Sequence, residues 1–146
     1  MLKSTDNKGG TLYVSDLDGT LLGDDSLLSR GTIDMLNCII EERGGLFTVA
    51  TARTPATVVP LMQEVHARLP FIVIGGSSMW NPVTGCFERT HGIDDVTVNA
   101  VSDVFDRYGI YPFIYRRHGN NRLHAHTMVP CHRRRNSLSV SASTCR

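Results

Sequence analysis

The chain has 146 residues, 41% of them hydrophobic and 20% charged, with 15 Lys and Arg against 14 Asp and Glu. That is the composition of an ordinary globular domain, and a formal charge of +1 supplies no field to gather nucleic acid or an anionic membrane surface. The longest apolar runs fall far short of the roughly 20 residues that a bilayer span needs, and four widely spaced cysteines behind a polar amino terminus lead us to expect a reducing, cytoplasmic setting.

Residues 1–10 are polar and end in Gly9-Gly10, which reads as a flexible leader. Residues 11–16 read as a short buried strand, followed by a loop from Gly19 to Leu28 in which Asp24 and Asp25 are expected to be exposed charges. Ser29 can cap a helix whose Ile33, Leu36, Ile39 and Ile40 recur at helical spacing, with Gly44 as a left-handed stop. Residues 46–50 read as a second buried strand. Thr54-Pro55 then opens another helix with Val58, Val59, Met62 and Val65 inward, and Pro60 should kink or shorten it. Residues 71–76 read as a third strand. Strand, helix, strand, helix, strand with short connections implies right-handed crossovers and a parallel sheet.

After Gly76 the pattern changes. Met79-Trp80, the turn Asn81-Pro82-Val83-Thr84-Gly85, and Cys86-Phe87 read as a hairpin, with Trp80 packed inside it. Asp94 or Asp95 caps a further helix through Tyr108, with Val96, Val101, Val104 and Phe105 inward and Gly109 at its end. Residues 111–117 and 122–129 read as two strands. The expected fold is therefore α/β, a doubly wound parallel sheet with a Rossmann-like core over 11–88 and a partial α+β cap over 89–130. Residues 131–146 are nearly aperiodic and are expected to be disordered, and the chain is expected to be truncated or to leave its frame near Pro130.

The chemistry is concentrated in Asp16-Leu17-Asp18-Gly19-Thr20-Leu21. Two carboxylates, a glycine and a hydroxyl follow an apolar strand, and the carboxyl ends of strands are where open α/β sheets hold their ligands. On a buried strand end two such carboxylates are costly to desolvate, so the pair calls for a cation. Other candidates are weaker. His124, His126, Cys131 and His132 imitate a metal cluster but fit a solvated strand face better, and Arg133-Arg134-Arg135 reads as solvated charge.

Asp16-Leu17-Asp18-Gly19-Thr20-Leu21-Leu22 resembles the first motif of the haloacid dehalogenase superfamily of phosphohydrolases, and Thr51 at the end of the second strand resembles its second motif. Within the superfamily the chain is most similar to the Cof-type sugar-phosphate phosphatases. Their usual T-G-R reads Thr51-Ala52-Arg53 here, and their usual Asn-Gly-Ala after the third strand is replaced by Gly75-Gly76-Ser77-Ser78. The resemblance implies a nucleophile at Asp16, an acid and base at Asp18, and phosphate binding by Gly19, Thr51 and Arg53. It also implies Mg2+ held by the Asp16 side chain and the Asp18 carbonyl, and a small phosphorylated metabolite as substrate. A phosphomutase and a non-catalytic phosphate or metal binder are the alternatives. The family's later lysine has no counterpart, since no Lys follows Lys8, and impaired turnover is expected.

Overall fold

In the computed structural model of this chain, residues 11–119, 122–127 and 137–138 are described. β1 (Leu12–Ser15) runs parallel to β2 (Leu46–Val49), with Leu12 opposite Leu46 and Ser15 opposite Val49. β3 (Phe71–Val73) joins β2 through a parallel bridge between Ala50 and Ile72. Helices α1 (Arg30–Glu41) and α2 (Pro55–Leu61) make the two crossovers. The expected α/β class with its parallel sheet is thus present. The sheet continues antiparallel through β4 (Ser78–Asn81) and β5 (Cys86–Thr90), which form the expected hairpin.

Burial follows the sheet. Phe47, Thr48 and Val49 are buried consecutively in β2, and Phe71 and Val73 in β3, as strands covered on both faces require. Ile33 and Leu36 of α1, Val58 of α2, and Met62 and Val65 beyond it close over them. Trp80 is buried in the hairpin with its ring edge-on to Phe87, the centroids 4.9 Å apart.

β1 departs from expectation. Its Leu12, Tyr13 and Val14 are 54%, 51% and 50% exposed, not buried. The strand pairs with β2 alone among the described residues, and apolar side chains are covered only where a neighbour exists to cover them. The chain also leaves the strand at Ser15, so Asp16 to Asp18 occupy a bend rather than extended backbone.

The helix boundaries have identifiable causes. Ser29 caps α1 by accepting the Thr32 N–H at 3.1 Å, and Gly44 takes the left-handed conformation after it, as expected. α2 has only seven residues, with Pro55 in its first turn and Pro60 inside it. Proline at position 60 withholds an N–H, and the helix ends one residue later, leaving Val59 exposed rather than inward. The Asn37 side chain donates to the Glu64 carbonyl and accepts the His66 N–H, tying α1 to the segment after α2.

Farther along, Asp94 caps α3 (Asp95–Tyr108) by accepting the Thr97 N–H, and Gly109 ends it with φ +64°. The face of α3 expected to point inward is mostly bare: Val96, Val101 and Val104 are exposed, and Phe105 is only half-buried. β6 (Phe113–His118) and β7 (Arg122–Thr127) form an antiparallel pair, joined by β8 (Ser137–Leu138). Two residues of the stretch expected to be disordered therefore pair with β7. Main-chain hydrogen bonding at an open strand edge needs no apolar periodicity. The rest of that stretch, with Arg133 to Arg135, lies outside the described residues, as does the leader at 1–10. Of the described cysteines Cys38 is a free thiol and Cys86 is disulfide-bonded, so cysteine usage does not argue for a reducing compartment.

Candidate active site

The parallel register decides what meets at the top of the sheet. With Ser15 opposite Val49, Asp16 stands beside Ala50, and Asp18 and Thr51 follow just beyond the carboxyl ends of β1 and β2. The Ala50 N–H donates to the Ser15 carbonyl at 2.8 Å and holds the two strand ends together.

Leu17 separates the two acids. Its side chain is fully buried, whereas Asp16 and Asp18 on either side are exposed. The Leu17 carbonyl accepts the N–H groups of Thr20, Leu21 and Leu22 at 3.0 to 3.2 Å, and Gly19 supplies the positive φ, +73°, that the turn requires. The hydrophobic effect thus anchors the turn and leaves both carboxylates on its open side. Their exposure corrects the expectation of a desolvated pair: burial does not make these acids costly, and each is met in a different way.

Asp18 is met by Arg53. The guanidinium Nε and Nη2 donate to its two carboxylate oxygens at 2.8 and 2.6 Å, the fork geometry that suits arginine to carboxylates and phosphates. These hydrogen bonds hold the Asp18 carboxyl below its usual range and hold Arg53 above its own. One oxygen of Asp16 accepts the Leu17 N–H at 2.7 Å, and the other has no hydrogen-bond partner among the described residues.

Thr51 is buried, and its hydroxyl oxygen accepts the Arg53 N–H at 3.1 Å, so its own proton is left to be donated. Its N–H donates to the Ile72 carbonyl, which keeps the end of β2 against β3. A further contact was not visible in the sequence. Residues expected to finish the third strand form instead a 3-10 turn, Ile74–Gly76, in which Ile74 has φ +55° and Gly75 φ +61°. There the Ile74 N–H donates to the Arg53 carbonyl at 3.0 Å and the Gly75 N–H to the Thr51 carbonyl at 3.1 Å. Gly75-Gly76 was the available signal, since paired glycines mark left-handed turns.

Of the candidate residues, Asp16, Asp18, Gly19, Thr51 and Arg53 therefore gather at one end of the sheet. Asp24 and Asp25 are exposed. His124 stacks edge-on with His118, centroids 5.0 Å apart, while the side chains of His126, Cys131 and His132 lie outside the described residues. No group of three His, Cys, Asp or Glu able to hold a metal occurs among the described residues.

The donor set nevertheless fits one hard cation. Mg2+ prefers oxygen ligands, keeps several waters, and is commonly held by one or two carboxylates plus a substrate phosphate. The unpaired Asp16 oxygen is of that kind. The Asp18 carboxylate, engaged by Arg53, is not free for such a role.

The paired aspartates at one strand end and the threonine and arginine at the next lie where open α/β sheets hold their ligands. A family model of haloacid dehalogenase-like hydrolases matches residues 13–139, and the chain belongs to that family. Solved structures agree in fold. A haloacid dehalogenase-like hydrolase from Bacteroides thetaiotaomicron matches with 21% identity and TM-score 0.61, over 73% of this chain and 41% of that one. A phosphatase of the haloalkanoate enzyme superfamily from the same organism matches with 18% identity and TM-score 0.65, over 88% of this chain and 46% of that one. A haloacid dehalogenase-like hydrolase from B. subtilis matches with 21% identity and TM-score 0.60, over 72% of this chain and 36% of that one. The chain thus spans less than half the length of these structures. No curated protein matches it.

Proposed function

We propose that this chain carries the phosphoryl-binding half of a magnesium-dependent phosphomonoester hydrolase acting on a small phosphorylated metabolite such as a sugar phosphate. The observation that carries the reading is the gathering of Asp16, Asp18, Thr51 and Arg53 at the carboxyl ends of β1 and β2. In this reading the Asp16 carboxylate attacks phosphorus, the bond to the leaving oxygen breaks, and an aspartyl phosphate forms. Asp18, ionised while it is paired with Arg53, must leave that pair and take up a proton from solvent before it can give one to the departing alcohol; it then takes one from the water that hydrolyses the acyl phosphate. Thr51 donates its hydroxyl proton to a phosphoryl oxygen, and the turn at Gly19 lets the main chain approach the group. Bound Mg2+, held by Asp16 and the Asp18 carbonyl, would neutralise charge shared by the carboxylate and the phosphate.

The test is calorimetry with beryllium fluoride, which mimics an aspartyl phosphate, in the presence of magnesium. Binding that requires magnesium and disappears in Asp16→Asn supports the reading; absence of binding to the folded wild type overturns it.

A further inference from the structure

The Asp18–Arg53 pair uses the edge of the guanidinium, Nε and Nη2, that a phosphate would use. One arginine edge cannot serve both anions at once. The backbones on either side are fixed. Arg53 is held at its N–H by the Thr51 hydroxyl and at its carbonyl by Ile74, and Asp18 follows the fully buried Leu17. Of the two side chains Asp18 is the more open, 55% exposed against 27% for Arg53.

We infer that the Asp18–Arg53 pair is a latch opened by the ligand: an incoming phosphate takes the Nε and Nη2 edge of Arg53 and frees the Asp18 carboxyl group to turn toward the leaving oxygen. The inference rests on the phosphoryl-binding reading above and adds a regulation of that site. In the resting state Asp18 is committed to Arg53, and only an anion able to accept both guanidinium protons releases it. Neutral ligands, and anions without two adjacent oxygens, leave the latch closed.

The test is calorimetric titration with inorganic phosphate at one fixed magnesium concentration. Four proteins are compared: wild type, Asp18→Asn, Arg53→Gln and the double variant, each first shown to be folded by circular dichroism. Removing the competing carboxylate should tighten phosphate binding about threefold, the scale on which exposed ion pairs act. Arg53→Gln should weaken binding, and Asp18→Asn should bring no further gain in that background. Arg53→Lys keeps the charge but not the fork, and should fall between wild type and Arg53→Gln.

An equal gain from Asp18→Asn in both backgrounds overturns the latch, because Asp18 then acts only by charge repulsion. So does phosphate affinity unchanged by Arg53→Gln. In both cases the phosphoryl site survives. Failure of all four folded proteins to bind phosphate overturns the latch and the phosphoryl-binding reading together.

Discussion

The N–H of Ile74 donates to the carbonyl of Arg53 at 3.0 Å, and it does so from a left-handed backbone with φ +55°. A β-branched side chain is poorly suited to that conformation, which costs about 1–2 kcal/mol for an ordinary residue. The compensation is a double hydrogen bond, from Ile74 and Gly75, that fixes the loop carrying Thr51 and Arg53.

Position 74 should therefore reverse the usual ranking of alanine over glycine. Ile74→Ala loses the packing of a half-buried side chain and keeps the strain, whereas Ile74→Gly loses the same packing and relieves it. We expect the glycine variant to be more stable than the alanine variant by about 1 kcal/mol in urea unfolding. Alanine the more stable of the two would show that the left-handed turn does not exist in solution.

Leu17 is the anchor of the acidic turn and is fully buried. Leu17→Ala should cost about 2–5 kcal/mol of stability, measured by urea or thermal unfolding. Leu17→Met, which conserves volume, should cost less than about 1.5 kcal/mol. A cost near zero for alanine would mean that the turn is not held by burial.

Thr51 uses its oxygen to receive the Arg53 N–H. Thr51→Val keeps the shape and leaves that N–H without its acceptor, so a loss of about 1–3 kcal/mol is expected. Thr51→Ser restores the hydroxyl and should recover most of it. Beryllium fluoride affinity should fall with the valine variant and return with serine, which separates the donor role from packing.

The α3 cap should respond to acid. Asp94 accepts hydrogen bonds from the Thr97 N–H and hydroxyl, and the Thr97 backbone bond, first among them, holds its carboxyl below the usual carboxylate range. A carboxyl lowered in the folded state stabilises above its unfolded value, and the contribution is lost as pH falls through the folded one. Amide exchange at Thr97 and Val98 should therefore quicken as pH drops below about 3.8, relative to intrinsic rates. In Asp94→Asn, which caps without titrating, that pH dependence should vanish.

Much of this was legible in the sequence because it is local. A serine before an apolar period, an aspartate before another and a glycine after it marked three helix ends, since capping is decided within a turn of chain. The acidic turn after an apolar strand and the threonine ending the next strand marked the site by the same kind of nearby evidence. The pairing of Asp18 with Arg53 was not legible. The residues stand 35 apart in sequence, and nothing local to either one names the other as its partner. Nor was the turn at Ile74, because Phe71-Ile72-Val73-Ile74 is a plain strand pattern until the glycines break it. The exposure of β1 and α3 depends on neighbours in space, which hydrophobic spacing alone does not specify.

The position of Leu17 has a consequence for binding. With that side chain driven into the core, the main chain that carries the carboxylates on either side is placed by folding and not by the ligand it receives. The rotational freedom that a flexible acidic loop would surrender on meeting its target has already been given up. Preorganisation of the turn is supplied by a hydrocarbon side chain buried between two exposed acids.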